Sequence, residues 1–110
     1  MPLMKFILAL RAPEGYELSP TPTPAWSNWF QLLDSSVVDI GQPVLERSTV
    51  GNCGEGTVLR GYSLVATESR EVALTLAREC PLIAAGGGVE VGQLGPGPKH
   101  INDSARRVQK

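Results

Sequence analysis

At 110 residues, 42% apolar and 19% charged, the chain has the make-up of one globular domain, which excludes wholesale disorder. Its formal net charge of −1 lacks the basic excess on which nucleic-acid affinity depends. A domain this small buries only about 60–70% of its extended-chain surface, so leftover apolar surface favours self-association.

In chain order, Met4 to Arg11 is an apolar run that exits through Ala12-Pro13-Glu14-Gly15, as a strand does. The stretch Phe6 to Leu10 is shorter than the roughly 7–15 apolar residues of a secretory leader, so a buried strand is expected there. No segment approaches the roughly 20 apolar residues of a membrane span. Pro13, Pro20, Pro22 and Pro24 stiffen the following loop by fixing φ. Thr23-Pro24 then reads as an N-cap and first helical residue. Trp26, Phe30, Leu33 and Val37 form the apolar stripe of that helix, with Trp29 and Leu32 widening it.

The segment Asp39-Ile40-Gly41-Gln42-Pro43 stops the helix, and Val44 to Val50 reads as a second strand. A glycine-rich turn from Gly51 to Gly56 leads into a third strand, Thr57 to Ala66. Thr67 or Ser69 can cap a second helix, with Glu68 and Glu71 at its positive end. Ala73, Leu76, Ala77 and Cys80 make its buried face, and Pro81 ends it. Gly86 to Gly88 turns the chain into a fourth strand, Val89 to Leu94. Residues 1–95 thus make the domain, and 96–110 a polar, flexible tail.

The order β-α-β-β-α-β predicts an α+β fold: a four-stranded antiparallel sheet with two helices on one face, the ferredoxin-like arrangement. Two such sheets packed by their open faces would form a homodimeric barrel enclosing a cavity. Cys53 and Cys80 form no Cys-x-x-Cys pair, and the single histidine, His100, lies in the tail, so no metal site is expected. Unpaired, well-separated thiols fit a reducing cytoplasm.

The glycine clusters lack the strand-to-helix context of a phosphate cradle and read as turns. Cys53 has no nearby histidine to activate it and reads as a loop thiol. Asp39, before Gly41 and Pro43, reads as a turn-stabilising carboxylate. Trp26, Trp29 and Phe30 belong to the core by spacing, yet a helix edge can also wall a ligand cavity. Glu90 alternates out of phase with Val89 and Val91, so it should point away from the helices, toward the cavity between sheets. A carboxylate there can serve as a general base, or form a structural ion pair across the dimer. Arg60 and Tyr62 share one face of the third strand and are further ligand-binding candidates.

Trp26-x-x-Trp29, Gly41-x-Pro43, Gly61-Tyr62-Ser63, Cys80-Pro81 and Gly87-Gly88-Val89-Glu90-Val91, taken in order over Lys5 to Leu94, resemble the YCII-related proteins and their Asp-Gly-Pro-Phe-motif relatives. The resemblance implies a dimeric α+β barrel of ferredoxin-like subunits. Some members carry a His-Asp pair associated with small-molecule lyase or dehydrochlorinase chemistry. Here Trp29 or Phe30 stands about where that histidine would be, and the Asp-Gly-Pro-Phe motif is missing. The expectation is a cytoplasmic homodimer acting on an apolar small molecule without metal or organic cofactor, with Glu90 as acid-base residue. The alternative is a non-catalytic ligand-binding or dimerisation module.

Overall fold

The computed structural model describes residues 2–19 and 21–96. The elements are β1 (Met4–Pro13), α1 (Pro24–Leu33), β2 (Val37–Asp39), β3 (Thr57–Thr67), α2 (Arg70–Arg78), α3 (Pro81–Ala84) and β4 (Gly88–Leu94). The fold is α+β, built on a four-stranded antiparallel sheet of order β2-β3-β1-β4. The expected 96–110 tail falls outside the described residues beyond position 96.

The central pair β1 and β3 runs from Met4 opposite Thr67 to Pro13 opposite Thr57. Side chains alternate between faces along a strand, so Phe6, Leu8, Leu10 and Ala12 all go to one side and are buried. Directly opposed residues share a face, which places Val65 beside Phe6 and Ser63 beside Leu8. Trp29 and Leu33 from α1 cover this side with Ala73, Leu76 and Ala77 from α2 and Leu82 from α3, closing one core. On β4, Val89 opposes Leu10 and Val91 opposes Leu8, and both pack against that core.

The other side of the sheet carries Lys5, Ile7 and Ala9 from β1, opposed by Ala66, Leu64 and Tyr62 from β3. Across β4 the same three residues oppose Leu94, Gly92 and Glu90.

The caps follow from the sequence. Thr23 accepts a hydrogen bond from the Trp26 N–H at 3.4 Å, and Pro24 sits in the first turn, where its missing N–H costs nothing. Ser69, of the two candidates, caps α2 through the Val72 N–H at 3.3 Å. Thr67 supports that turn instead, donating its hydroxyl to Ser69 O at 2.7 Å.

Three expectations are corrected. The first helix stops at Leu33, so Val37 opens β2 rather than ending the helical stripe, and Leu32 is 46% exposed. The second strand is Val37–Asp39, opposite Val65 and Leu64, and not Val44–Val50. Beyond Asp39 the chain keeps only an isolated bridge from Pro43 to Gly61 and the Val44 N–H donated to Arg60 O at 2.9 Å. Proline has no N–H to continue a ladder, and residues 45–50 are exposed. Finally, α2 ends at Arg78, and Pro81 begins a third short helix instead of only ending the second. Fixed φ suits proline to a first helical turn, so one residue serves as stop and start.

Candidate functional site

A pocket of about 400 Å³ lies between α1, the loop before it and the edge of β3 beyond the end of β2. The Thr23 cap sets the phase of α1, which puts Trp26 and Phe30 one turn apart on the side that walls this pocket. Their ring centroids stand 5.7 Å apart. Trp26 also meets the edge of Trp29 at 5.7 Å and 78°, the T-shaped geometry that aromatic quadrupoles favour. Tyr16 joins the wall, and its hydroxyl oxygen accepts the Trp26 Nε1–H at 3.2 Å, tying the proline-rich loop to the helix.

The floor is laid by the crossing of Ile40–Pro43 over β3. Asp39 accepts the Gly41 N–H at 2.8 Å, a local turn bond matching its expected stabilising role. Gly41 has φ +80, and a Cβ there would overlap the Tyr62 carbonyl oxygen. Ser63 donates its hydroxyl to Ile40 O at 2.7 Å, holding the crossing from below. Gly61 leaves this floor bare of side chain beside Leu10.

Arg60 enters the pocket wall at a break in the β1–β3 register, where Leu10 opposes Gly61 and Arg11 opposes Leu59. Arg60 is therefore an extra residue in β3, and such bulges re-aim side chains. Its Nη1 donates to Val44 O at 3.4 Å, while its Nε is buried without a hydrogen-bond partner. Arg60 is the cation of the lining, and Glu17, exposed on the preceding loop, is the carboxylate.

Three of the four sequence-derived binding candidates, Trp26, Arg60 and Tyr62, thus line one pocket. Trp29 does not: it is 2% exposed and donates Nε1–H to Leu76 O at 2.9 Å in the core. Glu90 also lies outside it. Glu90 is exposed on the open face, opposite Ala9, which opposes Tyr62 on its other side. Two strand spacings separate Glu90 from Tyr62, about 10 Å. Phe30, expected beside Trp26, does line the pocket, whereas Tyr16 and the Gly41 crossing were not anticipated as site residues. Pro20, Pro22 and Pro24 ahead of Trp26 were the only sequence hint, because a stiff loop must lie against the helix it enters.

A second, larger hollow of about 780 Å³ lies inside the Val44–Gly56 excursion and is lined by Arg11, Glu46, Arg47 and Cys53. Arg11 organises it, giving Nε–H to Thr57 Oγ1 at 2.9 Å and Nη2–H to Thr57 O at 2.8 Å and Cys53 O at 3.2 Å. Cys53 and Cys80 are both free thiols. Burial pushes the Cys80 thiol up from 9.0 to about 11, partly offset by a hydrogen bond from the Leu82 backbone.

Among the described residues, no group of three or more His, Cys, Asp or Glu side chains is placed to hold a metal ion. Nor is any described helix long and apolar enough to cross a membrane. No family model, curated protein or solved structure matches this chain.

Proposed function

We propose that the chain is a small-ligand-binding module, a ferredoxin-like domain related to the YCII proteins, and that it works as a homodimer. The observation that carries the binding role is the pocket walled by Tyr16, Trp26 and Phe30 beside a single half-buried arginine. A concave, mostly apolar site with few convergent polar groups is the usual form of a small-molecule site. The ferredoxin-like reading is supported by the order β2-β3-β1-β4, with α1 joining β1 to β2 and α2 with α3 joining β3 to β4.

The homodimer is supported by the open sheet face. Ile7, Ala9, Leu64 and Ala66 form its apolar centre, with Lys5 toward one end and Glu90 toward the other. A two-fold axis lying between two such faces and across the strands would bring Lys5 of one copy toward Glu90 of the other, which favours that self-pairing. Two free thiols suit a reducing, cytoplasmic setting.

Thermal-shift screening of small aromatic compounds against wild type and Trp26→Ala tests the binding role. Wild type should be stabilised by hits that leave the variant unmoved, and equal shifts would place the ligand elsewhere. Light scattering at micromolar concentration tests the dimer, and a monomer there would overturn it.

A cofactor-independent enzyme is the second reading, favoured by one observation: Glu90 and Tyr62 stand in one cross-strand row of the open face. In a face-to-face dimer that row would line the space between sheets, with Glu90 as general base. Turnover of a hit by wild type, lost in Glu90→Gln with binding retained, would establish it.

A further inference from the structure

We infer that the Tyr16–Trp26–Arg60 pocket selects an anionic ligand, an aromatic or otherwise apolar carboxylate, with Arg60 as the group that reads the charge. This rests on the binding role proposed above and specifies its ligand. Among the described residues, Arg60 is the one cation in a lining that is otherwise mainly apolar, and half-burial leaves its charge less screened by water than on the open surface.

The guanidinium is already held at one end. Nη1 reaches Val44 O at 3.4 Å, and the Arg60 carbonyl accepts the Val44 N–H at 2.9 Å, so the bulge and the crossing strand fix the residue from both sides. With Nη1 turned to the backbone and Nε closed off from solvent, Nη2 is the donor left for a ligand. A bond from it to a carboxylate is charge-assisted at both ends, and a bond to a neutral alcohol only at one.

Tyr16 adds a second donor. Its hydroxyl oxygen accepts the Trp26 Nε1–H, so its own proton is directed elsewhere and can be given to an acceptor in the pocket. The opposing charge is Glu17, but it is exposed on the loop while Arg60 is half-buried. Water screens the exposed carboxylate more, so the pocket favours an anion over a cation. Trp26 and Phe30 supply faces for the apolar body of the ligand.

Isothermal titration with 1-naphthaleneacetate and its neutral counterpart, 1-naphthaleneethanol, tests this on the full chain. Wild type should bind the acetate at least about tenfold more tightly than the alcohol, the scale of one charge-assisted hydrogen bond. Arg60→Met should erase that preference while still binding the alcohol, and Arg60→Lys should restore part of it. Retained alcohol binding serves as the control for a folded pocket. Should wild type bind both compounds equally, or Arg60→Met keep the preference, the inference is wrong and the binding role stands. If neither compound binds wild type, the binding role fails and this inference with it.

Discussion

Gly41 lies so close over the Tyr62 carbonyl oxygen that no side chain fits between them. With φ at +80, Gly41 is also in the left-handed region, so two independent constraints meet at the crossing that floors the pocket. Gly15 has a comparable φ of +91 but open space around its missing Cβ. The pair separates backbone strain from steric overlap.

Gly15→Ala should therefore cost only the left-handed penalty, about 1 kcal/mol. Gly41→Ala should cost about 2–4 kcal/mol, because overlap adds to strain. Urea denaturation of both variants measures the difference, and equal losses would show that the crossing can move away from β3.

Trp29 and Trp26 are three residues apart but have different work. Trp29→Phe should destabilise by about 1–2 kcal/mol, from lost ring volume and the lost bond to Leu76 O. The Leu76 carbonyl keeps the Glu79 N–H at 3.2 Å, which limits the damage. Trp26→Phe should cost less stability, since that residue is half-buried, yet should release Tyr16. Denaturation midpoints compare the two costs, and Tyr16 amide exchange reports the release.

Arg11 ties Thr57 and Cys53 to the end of β1 across more than forty residues of chain. Arg11→Met should lower stability by about 1–3 kcal/mol. The same variant should speed proteolysis within 44–56, with no change in the 24–33 helix. Cleavage sites mapped by mass spectrometry give the readout; uniform sensitivity along the chain would mean that Arg11 supports the whole domain.

The thiols should react at very different rates. Cys53 is exposed, whereas Cys80 is 2% exposed with its thiol pushed up to about 11 by burial. At pH 8 a thiol reagent should modify Cys53 quickly and Cys80 only on unfolding.

Cys80 also sets a pH dependence. In the unfolded chain its thiol ionises from about pH 9, but in the fold only from about 11. Its contribution to stability is complete below pH 9 and is lost as pH rises through 11, where the folded thiol also ionises. Cys80→Ala should flatten the decline of stability over that window relative to wild type. An unchanged slope would assign it to other groups.

Strands β1, β3 and β4, helices α1 and α2, the Thr23 cap and the facing of β4 were legible in the residues themselves, because they rest on local chemistry. Thr23-Pro24 suits a helix start by its own chemistry, and Val89 and Val91 alternate with Glu90 and Gly92. Glu90 could be turned from the helices by that alternation. The run from Phe6 to Leu10 is apolar at every position, so packing decided that Phe6, Leu8, Leu10 and Ala12 are its buried face. The second strand could not be placed this way. Val37 fits the helical stripe by spacing, and the edge of β3 drew it into a strand instead, opposite Val65.

What the residue order determined alone was therefore periodicity: which side chains point together and where helices can begin. Tertiary structure alone decided which of these faces meet. It sent Trp29 to the core and Trp26 to the pocket, and it inserted Arg60 as a bulge beside a crossing that only Gly41 can make. Those outcomes depend on register and on packing between distant segments, and neither is encoded in any local stretch of the chain.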